Sequence, residues 1–225
     1  MRMAGCVTRF ASTCASVLML GWTPLGTATD ASALATQGNG HGVAPCASCH
    51  GADGLGQPAP GFPRLAGLNS AYLRKQLDDF ANGARDNAVM KPIAAALGAD
   101  ERQAISDYYA KLPIPSAPAG SAADAPKADS PGALLATRGR WAQQVPGCEQ
   151  CHGPDGVGVG EHFPPLAGQS DVYIQNQLRA WKQGTRRNDP LDLMKHLSAA
   201  LDDNDIKAVS AWFAALPLHA ASATP

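Results

Sequence analysis

The chain has 225 residues, 45% hydrophobic and 16% charged, which is enough apolar material for one large or two small compact domains. Its formal net charge is −1 and no basic tract runs along it, which argues against nucleic acid as a partner. Aromatic residues make up only 6%, so domains of about a hundred residues are short of large core side chains, and a bulky buried cofactor would supply the missing apolar contact.

The first segment reads as an export signal. Arg2 and Arg9 precede an apolar stretch over 10–22, and small residues follow, ending in Ala31-Ser32-Ala33, so a cleavable signal is expected over 1–33. The apolar stretch is too short and too interrupted by Ser, Thr and Gly for a good membrane span. The two arginines are not a twin-arginine pair, which predicts export of an unfolded chain and a mature protein in the periplasm. Removing 1–33 leaves 16 Lys and Arg against 18 Asp and Glu, and takes Cys6 and Cys14 with it.

A first domain is predicted over 34–113. Its opening segment, 35–45, contains Gly38, Gly40 and Gly42, each costing a helix about 1 kcal/mol, so the helix there is expected to be short or irregular. Cys46-Ala47-Ser48-Cys49-His50 follows. An amphipathic helix is then predicted from Leu73, Leu77 and Phe80 after Ser70, stopped by Gly83. Met90 is expected in a loop. A last helix carries Ala104, Ile105, Tyr108, Tyr109 and Leu112, with Gly98 as N-cap and Pro113 as terminator.

Residues 114–131 are rich in Pro, Ala, Ser and Gly without an apolar period and read as an extended linker. A second domain is predicted over 132–217 and a small-residue tail over 218–225. Residues 132–144 read as a helix with Leu134, Leu135 and Trp141 available for packing. Cys148-Glu149-Gln150-Cys151-His152 comes next, followed by a helix with Ile174, Leu178 and Trp181 after Ser170, stopped by Gly184. Met194 again falls in a predicted loop. The last helix carries Ala208, Val209, Trp212, Phe213 and Leu216 between an Asp202 N-cap and Pro217. Alternating strand patterns are absent, so the fold class is all-α.

The two domains are copies. Residues 46–56 match 148–158 at an offset of 102, Phe62-Pro63-Arg64-Leu65-Ala66-Gly67 matches Phe163-Pro164-Pro165-Leu166-Ala167-Gly168 at 101, and 90–113 matches 194–217 at 104. The changing offset locates a one-residue deletion before Phe163 and a three-residue insertion between Arg186 and Met194.

Each C-x-x-C-H places two thiols about one helical turn apart, in reach of the vinyl groups on one porphyrin edge, with an imidazole beside them to ligate the iron. Two covalently bound haem c groups are therefore expected, on Cys46 and Cys49 and on Cys148 and Cys151, with His50 and His152 as iron ligands. After signal removal two methionines remain, Met90 and Met194, at matched places 40 and 42 residues beyond the histidines. They are the expected sixth ligands, and His196 is the rival in the second domain. An oxidised disulfide, a thioredoxin-like pair or a zinc site would also use C-x-x-C, but none accounts for the adjacent histidines and paired methionines. Pro63 and Pro164 could offer a carbonyl to the ligating imidazole. Tyr72 with Tyr173, Gln76 with Gln177, and Arg85 with Arg186 recur, either to reach haem propionates or as a solvated helix face.

With these motifs in place, residues 40–217 resemble the dihaem cytochrome c4 family. The resemblance implies two tandem class I cytochrome c domains with His/Met iron, facing each other across a pseudo-twofold interface with propionates near it. It implies a one-electron carrier, not an enzyme, working between a dehydrogenase or membrane electron-transfer complex and a terminal oxidase, with peripheral membrane association compatible with that role. The alternatives are a dedicated haem acceptor subunit of a periplasmic dehydrogenase, such as thiosulfate dehydrogenase, and a dihaem peroxidase. The long linker and the glycine-interrupted first helix leave the mutual placement of the domains open.

Overall fold

The computed structural model describes residues 29–115 and 127–218; most of the expected signal segment, the middle of the linker and all but the first residue of the tail lie outside it. The first half opens with α1 (Ala31–Gln37), capped by Asp30, whose carboxylate accepts from the Ser32 and Ala33 N–H groups. Gly38, at φ 76°, ends it after seven residues, so the helix is short, as its glycines predict. The expected signal boundary after Ala33 falls inside α1, whose Leu34 and Ala35 are buried.

Helix α2 (Ala47–His50) carries the first C-x-x-C-H, α3 (Ser70–Asn82) starts on an Asn69 cap, and Gly83 closes it in the left-handed region. Helices α4 (Met90–Ala96) and α5 (Ala99–Lys111) complete this half. At the start of α5 the Glu101 carboxylate accepts from the Gly98 N–H at 2.7 Å. Helix α5 packs on α1 and α3, and α3 on α4. The core between them holds Leu34, Val43, Leu68, Leu73, Ile105 and Tyr109.

The second half repeats the plan with α6 (Pro131–Thr137), α7 (Glu149–His152), α8 (Asp171–Lys182), α9 (Leu193–Ala200) and α10 (Asp203–Ala215). Helix α6 crosses α10 so closely that Gly132 is required: a Cβ there would lie 2.2 Å from the Ala208 carbonyl oxygen. Ile206, Val209 and Phe213 of α10 meet Leu135, Ile174 and Leu178 in the core.

Two expectations need correction. The helix expected to run to residue 144 stops at Thr137, and a two-residue antiparallel ribbon follows, β1 (Gly139–Arg140) with β2 (Val145–Pro146), around a 3-10 turn over Trp141–Gln143. Gly139 at φ 70° and Gln144 at φ 60° break the helical path, and Trp141, expected to pack, is 69% exposed. Secondly, Met90 and Met194 are not in loops but in the first turns of α4 and α9. The side-chain oxygen of Asn87 accepts from the Val89 and Met90 N–H groups, and that of Asp189 from Met194 and Lys195, so both short helices are nucleated from the preceding loop. Pro92 is tolerated at the third position of α4, where an N–H has no intrahelical acceptor.

Candidate haem sites and the domain interface

Each C-x-x-C-H folds into a single helical turn because the residue-50 and residue-152 N–H groups donate to the carbonyls of Cys46 and Cys148. The chain then doubles back. Gly56 N–H donates to the His50 carbonyl and Gly158 N–H to that of His152, which brings the Pro63 and Pro164 segments under the imidazoles. Gly56, at φ 83°, lies so close to this segment that a Cβ would approach the Pro63 carbonyl carbon to 2.7 Å. As a result His50 Nδ1 lies 2.9 Å from the Pro63 carbonyl oxygen and His152 Nδ1 lies 2.8 Å from that of Pro164.

This hydrogen bond fixes the tautomer. Nδ1–H donates to the carbonyl, and Nε2 keeps its lone pair for a metal. Burial pushes both histidines below the ordinary imidazole value, which favours the same neutral form. The four cysteines of the two C-x-x-C-H motifs are free, and burial raises the Cys46 thiol and takes Cys148 up to about 12. A thioredoxin-like nucleophile needs the opposite shift. Among the described residues no three His, Cys, Asp or Glu side chains gather into a metal cluster, so the two cysteine pairs do not share a zinc site.

Met194 is partly buried against the core of its half, whereas His196, two residues on, is exposed on α9. The orientation of α9 therefore separates the two rivals. Met90 is half-buried at the start of α4.

The recurring polar residues turn out to be the domain interface rather than a solvated face. Arg85 and Arg186 pair as an isolated antiparallel bridge between the halves. Each guanidinium crosses to the other half: Arg85 donates to Tyr173 Oη at 2.8 Å and Gln177 Oε1 at 2.6 Å, and Arg186 to Gln76 Oε1 at 3.1 Å. Each also binds the glutamine of its own half at 3.0 Å and lies over an aromatic ring, Arg85 on Phe80 and Arg186 on Trp181. The exchange is reciprocal, as a pseudo-twofold requires.

Both arginines are buried, and among the described residues no carboxylate bridges to either. Burial, and then the facing Arg85, pull Arg186 below the usual guanidinium value. Trp181 Nε1 is likewise buried without a partner. Buried cations need an anion, and haem propionates have the charge and acceptor geometry these groups lack. The free Nε2 atoms, unpaired thiols and unneutralised guanidiniums together fit a haem in each half.

Comparison with known proteins agrees. The cytochrome c family model matches residues 35–113 and again 136–217. The chain belongs to the cytochrome c family, in its dihaem c4-like form. It is 50% identical over 188 residues to the thiosulfate dehydrogenase electron acceptor of Stutzerimonas stutzeri (strain A1501), spanning 83% of this chain and 86% of that one. Cytochrome c4 of Pseudomonas aeruginosa is 36% identical over 176 residues, 77% of this chain and 85% of the relative. Among solved structures, thiosulfate dehydrogenase from Marichromatium purpuratum superposes with a TM-score of 0.75 at 43% identity, covering 83% of this chain and 40% of that chain. Reduced recombinant cytochrome c4 from Pseudomonas stutzeri superposes at 0.66 with 34% identity, covering 76% and 93%.

This dihaem cytochrome carries two covalently bound haem c groups, one per domain, on its two C-x-x-C pairs. It is an electron-transfer protein. Among the described residues no helix is long and apolar enough to cross a membrane. Further interface contacts, Arg64 N–H to Gln169 Oε1, Asn188 Nδ2 to Gln76 Oε1 and Arg187 Nη2 to the Gly83 carbonyl, were not expected from the sequence. Arg64, Gln169 and Arg187 have no like residue at the corresponding place in the other copy, and Asn188 lies in the segment that holds the insertion, so comparing the two copies, which brought out the recurring polar residues, passes over them.

Proposed function

We propose that this cytochrome is exported to the periplasm and accepts electrons from a thiosulfate-oxidising dehydrogenase, passing them to a terminal oxidase or another acceptor complex. The supporting observation is its 50% and 49% identity to two thiosulfate dehydrogenase electron acceptors across most of their length, against 34–37% to four cytochromes c4. In this reading His50 with Met90 and His152 with Met194 are the axial pairs, and Cys46, Cys49, Cys148 and Cys151 form the thioether links.

Haem iron supplies reversible one-electron exchange when bound. The chain's own residues set its conditions. The Pro63 and Pro164 carbonyls hold the imidazoles and strengthen their donation. Arg85 and Arg186 concentrate positive charge between the domains, favouring electron uptake on both sides of the interface. Two haems accommodate the two electrons of a two-electron oxidation. A signal cut N-terminal to Asp30 would keep the α1 cap that a cut after Ala33 removes.

The direct test is stopped-flow reduction of the oxidised holoprotein by a thiosulfate dehydrogenase with thiosulfate present. Both haems should reduce at catalytic rates. Failure to reduce, alongside ready reduction by other periplasmic dehydrogenases, would overturn the assignment of donor. Met90→His and Met194→His should each abolish half of the thioether-to-iron charge-transfer band and lower one potential.

A further inference from the structure

The two domains are not equal partners at their interface. Gln169 is 4% exposed and reaches from the second domain onto the backbone of Arg64 in the first. Its Oε1 accepts from the Arg64 N–H at 3.0 Å, and its Nε2 donates to the Arg64 carbonyl at 3.1 Å. The Arg64 N–H belongs to the same peptide plane as the Pro63 carbonyl, and that carbonyl accepts from His50 Nδ1 at 2.9 Å. One planar amide therefore links Gln169 of the second domain to the histidine of the first.

The reverse connection is chemically barred. The matched residue in the second domain is Pro165, so the Pro164–Pro165 peptide has no N–H to be held. The residue matched to Gln169 is Leu68, which offers no polar atom. Among the described residues His152 has its proline carbonyl, and no hydrogen bond from the first domain reaches the Pro164–Pro165 peptide.

We propose that Gln169 is a positioning residue for the first haem: it orients and polarises the Pro63–Arg64 peptide across the interface, so that domain pairing tunes the His50 ligand and leaves the His152 ligand untouched. The proposal rests on His50 ligating the first iron. Accepting a hydrogen bond from an amide N–H leaves its carbonyl a better acceptor, because hydrogen-bond chains polarise one another. A stronger Nδ1–H···O bond makes the imidazole a stronger donor, which favours Fe(III) and lowers the potential. The Arg64 guanidinium is not the source of this asymmetry. It lies between the halves, donating to the Ala66 carbonyl at 2.7 Å and approaching that of Ala167 at 3.5 Å.

The test uses the dihaem holoprotein with Gln169→Leu, copying Leu68, and Gln169→Met, which fills the same space without hydrogen bonds. The control is Ser170→Ala, which removes the neighbouring interdomain bond from Ser170 Oγ to the Pro58 carbonyl, 3.0 Å long, together with the Ser170 cap on the Tyr173 N–H, and keeps both Gln169 bonds to the Arg64 backbone. Potentials are read haem by haem from an NMR-monitored redox titration, with haem-methyl signals assigned to each domain. Both Gln169 variants should shift the first haem toward the reduced state by about threefold or more in its equilibrium constant, tenfold being 59 mV, with the second haem unmoved. The His50 Nδ1–H resonance should move and exchange faster, while that of His152 stays. An unmoved first haem, equal shifts at both, or an equal shift in Ser170→Ala would overturn the proposal. If His50 is not a ligand, the wild-type first haem will already lack a low-spin His/Met spectrum, which separates failure of the ligand assignment from failure of the clamp.

Discussion

Replacing Gln76 by Leu tests whether the buried cationic layer holds the domains together. Gln76 Oε1 accepts three hydrogen bonds: from Arg85 Nη1 at 3.0 Å, Arg186 Nη2 at 3.1 Å and Asn188 Nδ2 at 2.9 Å. Leucine fills a similar volume but accepts none of them. A buried donor left without its acceptor costs about 1–3 kcal/mol. Here each donor group keeps another partner, since Arg85 and Arg186 retain Gln177 and Asn188 retains Asp79 at 2.8 Å, so the lower end applies. The expected loss is about 3 kcal/mol. Gln177 accepts from two donors, Arg85 and Arg186, so Gln177→Leu should cost less, about 2 kcal/mol. Guanidinium denaturation of the dihaem holoprotein, followed by Soret absorbance and far-ultraviolet circular dichroism, measures both. A loss below about 1 kcal/mol for Gln76→Leu, or a greater loss for Gln177→Leu, would refute the reasoning.

Gly132→Ala should destabilise the second domain by about 1–3 kcal/mol or more, because its Cβ meets the Ala208 carbonyl and forces α6 off α10; thermal unfolding reads the loss. Asp205 is held below the ordinary carboxylate value: burial acts to raise it, but its bonds to Arg140 and to the Asp202 N–H outweigh that. Its stabilising contribution is therefore present above the unfolded value of about 3.9 and is lost as pH falls through the depressed folded value. Asp205→Asn should lower stability at neutral pH and flatten the acid limb, which denaturation at a series of pH values will show. Mass spectrometry of the exported protein should find an N-terminus ahead of Asp30, and a terminus at Leu34 would contradict the role given to the α1 cap.

Most of the candidate haem site was legible because the chain contains its own comparison. A lone methionine is core filler by default, but Met90 and Met194 stand at matched places after matched C-x-x-C-H motifs. The Pro63 and Pro164 carbonyls were readable as acceptors for the histidine Nδ1–H groups for the same reason, and the 2.9 and 2.8 Å bonds show that geometry. Helix ends at Gly83, Gly98 and Asp202 followed from local capping chemistry. The ribbon around Trp141 was missed because apolar spacing over 132–144 fits a helix, while Gly139 and Gln144 in the left-handed region redirect the chain. Asn87 and Asp189 turned expected loops into first turns, since these side-chain caps act over two to six residues without any apolar period.

Sequence alone pointed to two haem-binding segments, their cysteine pairs and a short list of candidate iron ligands, because these depend on residue type and spacing along one segment. Tertiary structure decided how the domains face each other. Buried guanidiniums that cross to the other half's glutamine, and Gln169 clamping a peptide 105 residues away, are contacts between remote segments that no local pattern encodes. Two nearly equal copies folded separately would present equal sites. Their docking makes them unequal, because Arg64 has an N–H where Pro165 has none, and only close packing turns that single atom into a link between one domain and the other's candidate iron ligand.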